Sequence, residues 1–116
     1  MAMIKHNKLN LWVAFSELFL ATEIQEYTFE YIAKTIYESD FTLEQAEFSL
    51  WNEVYPILEF NKLSSDGIWE GFGDEYILTN IKFQKESCKI KRDVSVSKEI
   101  ERCWTEIVKF YSKLDQ

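Results

Sequence analysis

Histidine occurs once in this 116-residue sequence, at His6, and that scarcity removes several kinds of chemistry. A metal-binding helix of the two-histidine kind is excluded, and a Cys–His nucleophile pair would need the N-terminal residues to fold back over the chain. Two cysteines, Cys88 and Cys103, are too few for a disulfide framework or a four-ligand zinc site. Reduced thiols in a cytoplasmic chain are the expectation, with Cys103 as plain core. One proline and three glycines leave few turn makers, which disfavours a many-stranded sheet and favours helices. No phosphate loop is present, because the glycines of Gly67-Ile68-Trp69-Glu70-Gly71-Phe72-Gly73 have neither the required lysine nor a strand before them. No segment is long and apolar enough to cross a bilayer; Leu11–Ala21, behind Lys5, His6 and Lys8, is interrupted by Glu17 and reads as a buried helix.

What is abundant is apolar and acidic. Nearly half the residues are hydrophobic, which at this length supplies one core and one domain over 1–116, with 1–8 read as a mobile arm. The net charge is −7, unevenly placed: residues 17–75 carry fourteen acids against Lys34 and Lys62, whereas 80–116 carry nine bases against six acids. Such a field repels nucleic acid and speeds encounter with a basic partner.

The stretch Phe41–Phe72 organises the chain. Thr42 and Gln45 have the spacing of a reciprocal helix cap, and Leu43, Ala46, Leu50, Val54 and Ile57 then line one face, with Glu44, Glu47 and Glu53 pointing elsewhere. Pro56 should kink or stop this helix. The loop that follows carries the turn pair Asp66-Gly67 and holds Trp69 and Phe72 between glycines; it is expected to fold over the core, with an exposed binding loop as the alternative. Around this stretch the periodicity predicts a helix from Leu9 to Ala21 and another opened by Thr22 and Gln25 and ending near Glu38. A short helix should run over 75–84 with Tyr76, Ile77, Ile81 and Phe83 inward. The last helix should be capped by Ser97 and bury Ile100, Cys103, Trp104, Ile107, Val108, Tyr111 and Leu114. Residues 85–96 give no clear period, and Lys89, Lys91 and Arg92 there read as a solvated connector. The fold class is all-α, a single-domain bundle of about five to six helices.

Scattered carboxylates do not make an enzyme. Glu44 and Glu47, one turn apart, are the best acid pair, and at this density of acids such pairs arise by chance. The reading is of a non-enzyme with no cofactor and no metal.

Leu11-Trp12, Ala14, Ser16-Glu17-Leu18-Phe19-Leu20 and Thr22-Glu23, followed by Trp51-Asn52-Glu53-Val54-Tyr55-Pro56 and by Asn61 through Phe72, resemble a small bacterial domain family of unknown function. The resemblance covers residues 11–72. Ala21 and Ile68 stand where that pattern has acids, so a site built on those carboxylates is not carried over. By type alone, a small, acidic, catalytically empty chain is similar to the immunity proteins of contact-dependent growth inhibition, which neutralise a cognate toxin domain. That similarity implies a partner that is a basic nuclease domain; the expectation is of a cytoplasmic monomer whose contact is made by Glu44, Glu47, Glu53, Asp66, Glu70, Asp74 and Glu75, with Trp69 as anchor. The competing expectation is a non-catalytic adaptor, homodimeric through the last helix.

Overall fold

The reciprocal cap at Thr42 is present: its hydroxyl accepts from the Gln45 N–H at 3.1 Å, and the Gln45 side chain accepts from the Thr42 N–H at 2.9 Å. In the computed structural model, residues 2–89 and 91–114 are described, with side chains from Lys8 onward. They form six α-helices and, among the described residues, no strand: α1 Ala2–Ser16, α2 Glu26–Glu38, α3 Leu43–Ser49, α4 Tyr55–Leu63, α5 Asp74–Asn80 and α6 Val94–Leu114. The all-α expectation holds. Ile90 and the His6 side chain lie outside the described residues.

Several boundaries move, each for a physical reason. α1 starts at Ala2, so residues 2–8 are helix where an arm was expected, and Lys8 is drawn into the core by an ion pair to Glu53. It ends at Ser16, whose hydroxyl donates to the Val13 carbonyl at 2.6 Å, and a 3₁₀ turn over Glu17–Phe19 tightens the exit. Thr22 and Gln25 form no reciprocal cap; α2 begins only at Glu26, with Gln25 as an N-cap whose side chain makes no capping bond. Ser97 sits inside α6. The carboxylate that caps this helix is Asp93, which accepts from the Val96 N–H at 2.9 Å and the Ser95 hydroxyl at 2.8 Å. Phe83 is exposed because α5 stops at Asn80, before the helical register could carry that ring inward.

Pro56 does not stop the central helix. A π turn, Leu50–Val54, joins α3 to α4 and releases the backbone just where the proline ring needs room, so that Pro56 falls in the first turn of α4. One extra residue in a turn rotates everything beyond it by about 100°. That rotation brings Asn52 inward, next to Glu53, which the helical period already sets on the side of Ala46; both are buried beside Leu50, Val54 and Tyr55.

The core runs through every helix: Leu11, Phe15 and Leu18 from the N-terminal segment, Ile32 and Ile36 from α2, Leu50, Val54 and Leu58 from the central rod, Ile77 from α5, and Ile100, Cys103 and Ile107 from α6. α6 packs chiefly on α2. The segment between α5 and α6 has little to bury, so polar side chains of the rod tie down its backbone instead. Glu53 accepts from the Gln84 N–H, Asn52 from the Cys88 N–H and Glu59 from the Asp93 N–H, each at 2.8 Å. These bonds satisfy a chain that forms no ladder of its own.

Candidate partner-binding surface

Glu53 cannot belong to a contact surface. It is 2 % exposed and lies at the centre of a polar cluster. Its Oε1 faces Lys8 Nζ at 3.0 Å, the Trp12 Nε1–H at 3.1 Å and the Ser49 hydroxyl at 2.6 Å, and its Oε2 takes the Gln84 N–H. The Lys8 ammonium also stands over the rings of Phe41 and Phe83, at 4.9 and 5.6 Å. Every polar atom in the cluster has a partner, as a buried charge requires. The expectation that Glu53 points outward is corrected: it lies seven residues after Ala46, so even an unbroken α-helical period sets it at the edge of the apolar face.

The other sequence candidates are exposed but not all together. Glu44 and Glu47 lie on α3 and line neither of the two clefts described below. Asp66 is engaged within its own turn, accepting from the Ser64 hydroxyl at 3.1 Å. Trp69 and Glu70 do come together, with Glu17, the acid that interrupts the first apolar run, and with residues the sequence did not single out. They line a groove of about 180 Å³ with Glu17, Leu20, Glu23, Ile24 and Tyr27. Asp74 lines an adjoining cleft of about 290 Å³ with Asn10, Val13, Tyr31, Thr35 and Glu38, and Glu75 follows it in the first turn of α5.

Tyr31 joins the two. Its phenol is held above the ordinary range first by burial, then by the Glu17 carboxylate, and to a lesser degree by Asp74. Glu17 is itself shifted upward by burial. The result is one acidic face that also carries large exposed rings: Trp69 is 63 % exposed, Tyr27 72 % and Tyr31 46 %. Tyr27 and Tyr31 are four residues apart and so share one side of α2. Exposed rings grouped beside two clefts are the kind of feature that an interaction surface uses.

The loop that presents Trp69 is fixed from beneath. Asn61, 1 % exposed, donates through Nδ2 to the carbonyls of Phe19 at 2.8 Å and Ile68 at 2.7 Å, and its Oδ1 accepts the Ile68 N–H at 2.7 Å. The Ile68 carbonyl also takes the Ala21 N–H at 2.8 Å. Gly67 passes so close that a Cβ there would stand 2.6 Å from the Asn61 carbonyl oxygen. Gly71, at φ 143°, then reverses the chain so that Phe72 turns into the core while Trp69 stays out. The loop folds over the core through Phe72 only; the expectation that both rings cover it is corrected for Trp69. A buried Asn on the core side of α4 is the signal in the sequence that could have marked this staple.

The basic segment is partly structural. The Arg92 guanidinium lies over the Trp51 ring at 4.6 Å, and its Nη2 donates to the Trp51 carbonyl at 3.4 Å. On α6, Ile100, Cys103 and Ile107 are fully buried within the chain, Trp104, Val108 and Tyr111 are half-buried, and Leu114, expected inward, is exposed. Among the described residues no group of three or more His, Cys, Asp or Glu side chains could hold a metal ion, and no helix is long and apolar enough to cross a membrane.

Comparison with curated proteins returns no match, and comparison with solved structures returns none either. Residues 6–110 match the domain of unknown function DUF7079, and over that span, nearly the whole chain, the protein belongs to this family.

Proposed function

We propose that the chain is an immunity-type inhibitor that binds a basic toxin domain, a nuclease acting on RNA, and covers its phosphate-binding surface. The observation that carries this reading is the coincidence of Trp69, Tyr27 and Tyr31, all exposed, with Glu17, Glu23, Glu70 and Asp74 on one face. Aromatic anchors ringed by charge are what a tight interface requires, and carboxylates are the natural mimic of the phosphates such an enzyme grips. The acidic field of residues 17–75 steers a basic partner toward that face. Free Cys88 and Cys103 fit a reducing compartment, and we place the protein in the cytoplasm, as a monomer with no cofactor.

The test is capture from the native cell with a tagged chain, washed at low and at high salt. A stoichiometric basic partner that elutes as salt rises, and whose cleavage of RNA stops when the chain is added back, is the expected result. Recovery of neutral partners held through high salt would overturn the reading and favour an adaptor.

A further inference from the structure

We propose that the groove between the Glu17–Phe19 turn, the start of α2 and the Trp69 loop is a receptor for a single arginine side chain presented by the partner; this rests on the binding surface argued above. At about 180 Å³ the groove is on the scale of one long side chain and too small for a folded segment. Leu20 and Ile24 are the aliphatic residues of its otherwise polar and aromatic lining and can contact the stem of such a side chain. Trp69 and Tyr27 supply exposed ring faces, and Glu17, Glu23 and Glu70 supply carboxylates around the rim. No lysine or arginine lines the groove. Among the described residues none donates a hydrogen bond or ion pair to those three carboxylates, and none of them supplies a counter-ion at the groove.

The chemistry selects arginine over lysine. A guanidinium is planar, weakly hydrated and able to stack on an indole while its five N–H groups fork to more than one carboxylate. An ammonium is compact and strongly hydrated, with three donors but no planar face to stack on an indole, so it loses more hydration on entering the groove. Glu17, already partly desolvated, is the acid that gains most from an incoming cation.

The experiment titrates the full chain with N-acetyl-arginine methylamide, and with the lysine and citrulline analogues, while recording the indole N–H resonances by NMR. The arginine probe should move the Trp69 indole saturably at about millimolar concentrations, the lysine probe less, and the uncharged citrulline probe hardly at all. Trp69→Ala, which removes an exposed ring, and the isosteric Glu17→Gln should each weaken the arginine response by roughly three- to thirtyfold. Equal shifts from arginine and citrulline, or an unsaturable shift spread over all four indoles, would overturn the proposal. Saturable arginine binding with no toxin partner recovered leaves the receptor standing and removes the immunity reading. A captured toxin whose affinity is indifferent to Trp69→Ala and Glu17→Gln does the reverse.

Discussion

Replacing Glu53 by glutamine keeps the shape of the side chain and removes its charge, which makes it a clean probe of the buried cluster. The Lys8 ammonium, with its side chain 11 % exposed, then loses its counter-ion, and the Trp12 indole, Ser49 hydroxyl and Gln84 N–H face a weaker acceptor. Breaking a buried pair from one side costs about 3–5 kcal/mol, because the remaining charge is stranded. Unfolding entropy of about 2.1 cal/mol/K per residue gives about 0.24 kcal/mol/K for 116 residues, so the Tm should fall by about 12–20 °C. Lys8→Met alone should cost less, since the carboxylate keeps its three other donors. The double variant should be markedly more stable than the sum of the two losses predicts, with a coupling of about 1–3 kcal/mol. Urea titration followed by far-UV circular dichroism measures all four proteins. A Glu53→Gln cost below about 1 kcal/mol, or strict additivity with Lys8→Met, would refute the idea that this carboxylate holds α1, the central rod and the 81–93 segment together.

Other consequences follow from single residues. Gly67→Ala forces a Cβ against the Asn61 carbonyl oxygen and should cost about 1–3 kcal/mol in a denaturant melt, with the Trp69 fluorescence changing before the global transition. Asn61→Leu strands the Phe19 and Ile68 groups it now pairs and should cost about 2–4 kcal/mol in the same melt. Burial pushes the Cys103 thiol up to about 12, so native protein at neutral pH should take one iodoacetamide label, on Cys88, and a second only after unfolding; mass spectrometry counts them. The Asp93 carboxyl is held below its ordinary range, first by the Val96 N–H and then by the Ser95 hydroxyl. A depressed acid contributes stability above the unfolded pKa of 3.8 and loses it as pH falls through the lower, folded value. Stability of wild type relative to Asp93→Asn should therefore be constant above about pH 5 and shrink in more acidic buffer.

Helical periodicity was enough to place most of the core, because Leu50, Leu58, Ile32, Ile100 and Ile107 need only a register to be buried. It was enough for the Thr42 cap as well, where both partners lie within one turn. The outward reading of Glu53 failed because a charge reads as solvent-facing even where, as here, it lies seven residues after Ala46; the burial of Asn52 needs the π turn, which nothing in a local window announces except the proline after it. The candidate face was half legible. Trp69, Glu70 and Asp74 stand near one another in the chain, but Glu17, Tyr27 and Tyr31 reach them only through packing of α1 and α2, which no local pattern encodes. Lys8 was likewise out of reach: an N-terminal lysine reads as solvent-facing until its carboxylate, forty-five positions away, is found buried.

The association rate of the captured basic partner with wild type and with the Glu70→Lys/Asp74→Lys/Glu75→Lys variant, across a range of salt concentrations, tests the binding surface most directly. These side chains are exposed, so the variant should fold as the wild type does. If this face steers the encounter, the variant's rate at low salt should fall by about tenfold or more and its dependence on salt should flatten. An on-rate and salt slope equal to those of wild type would contradict the account.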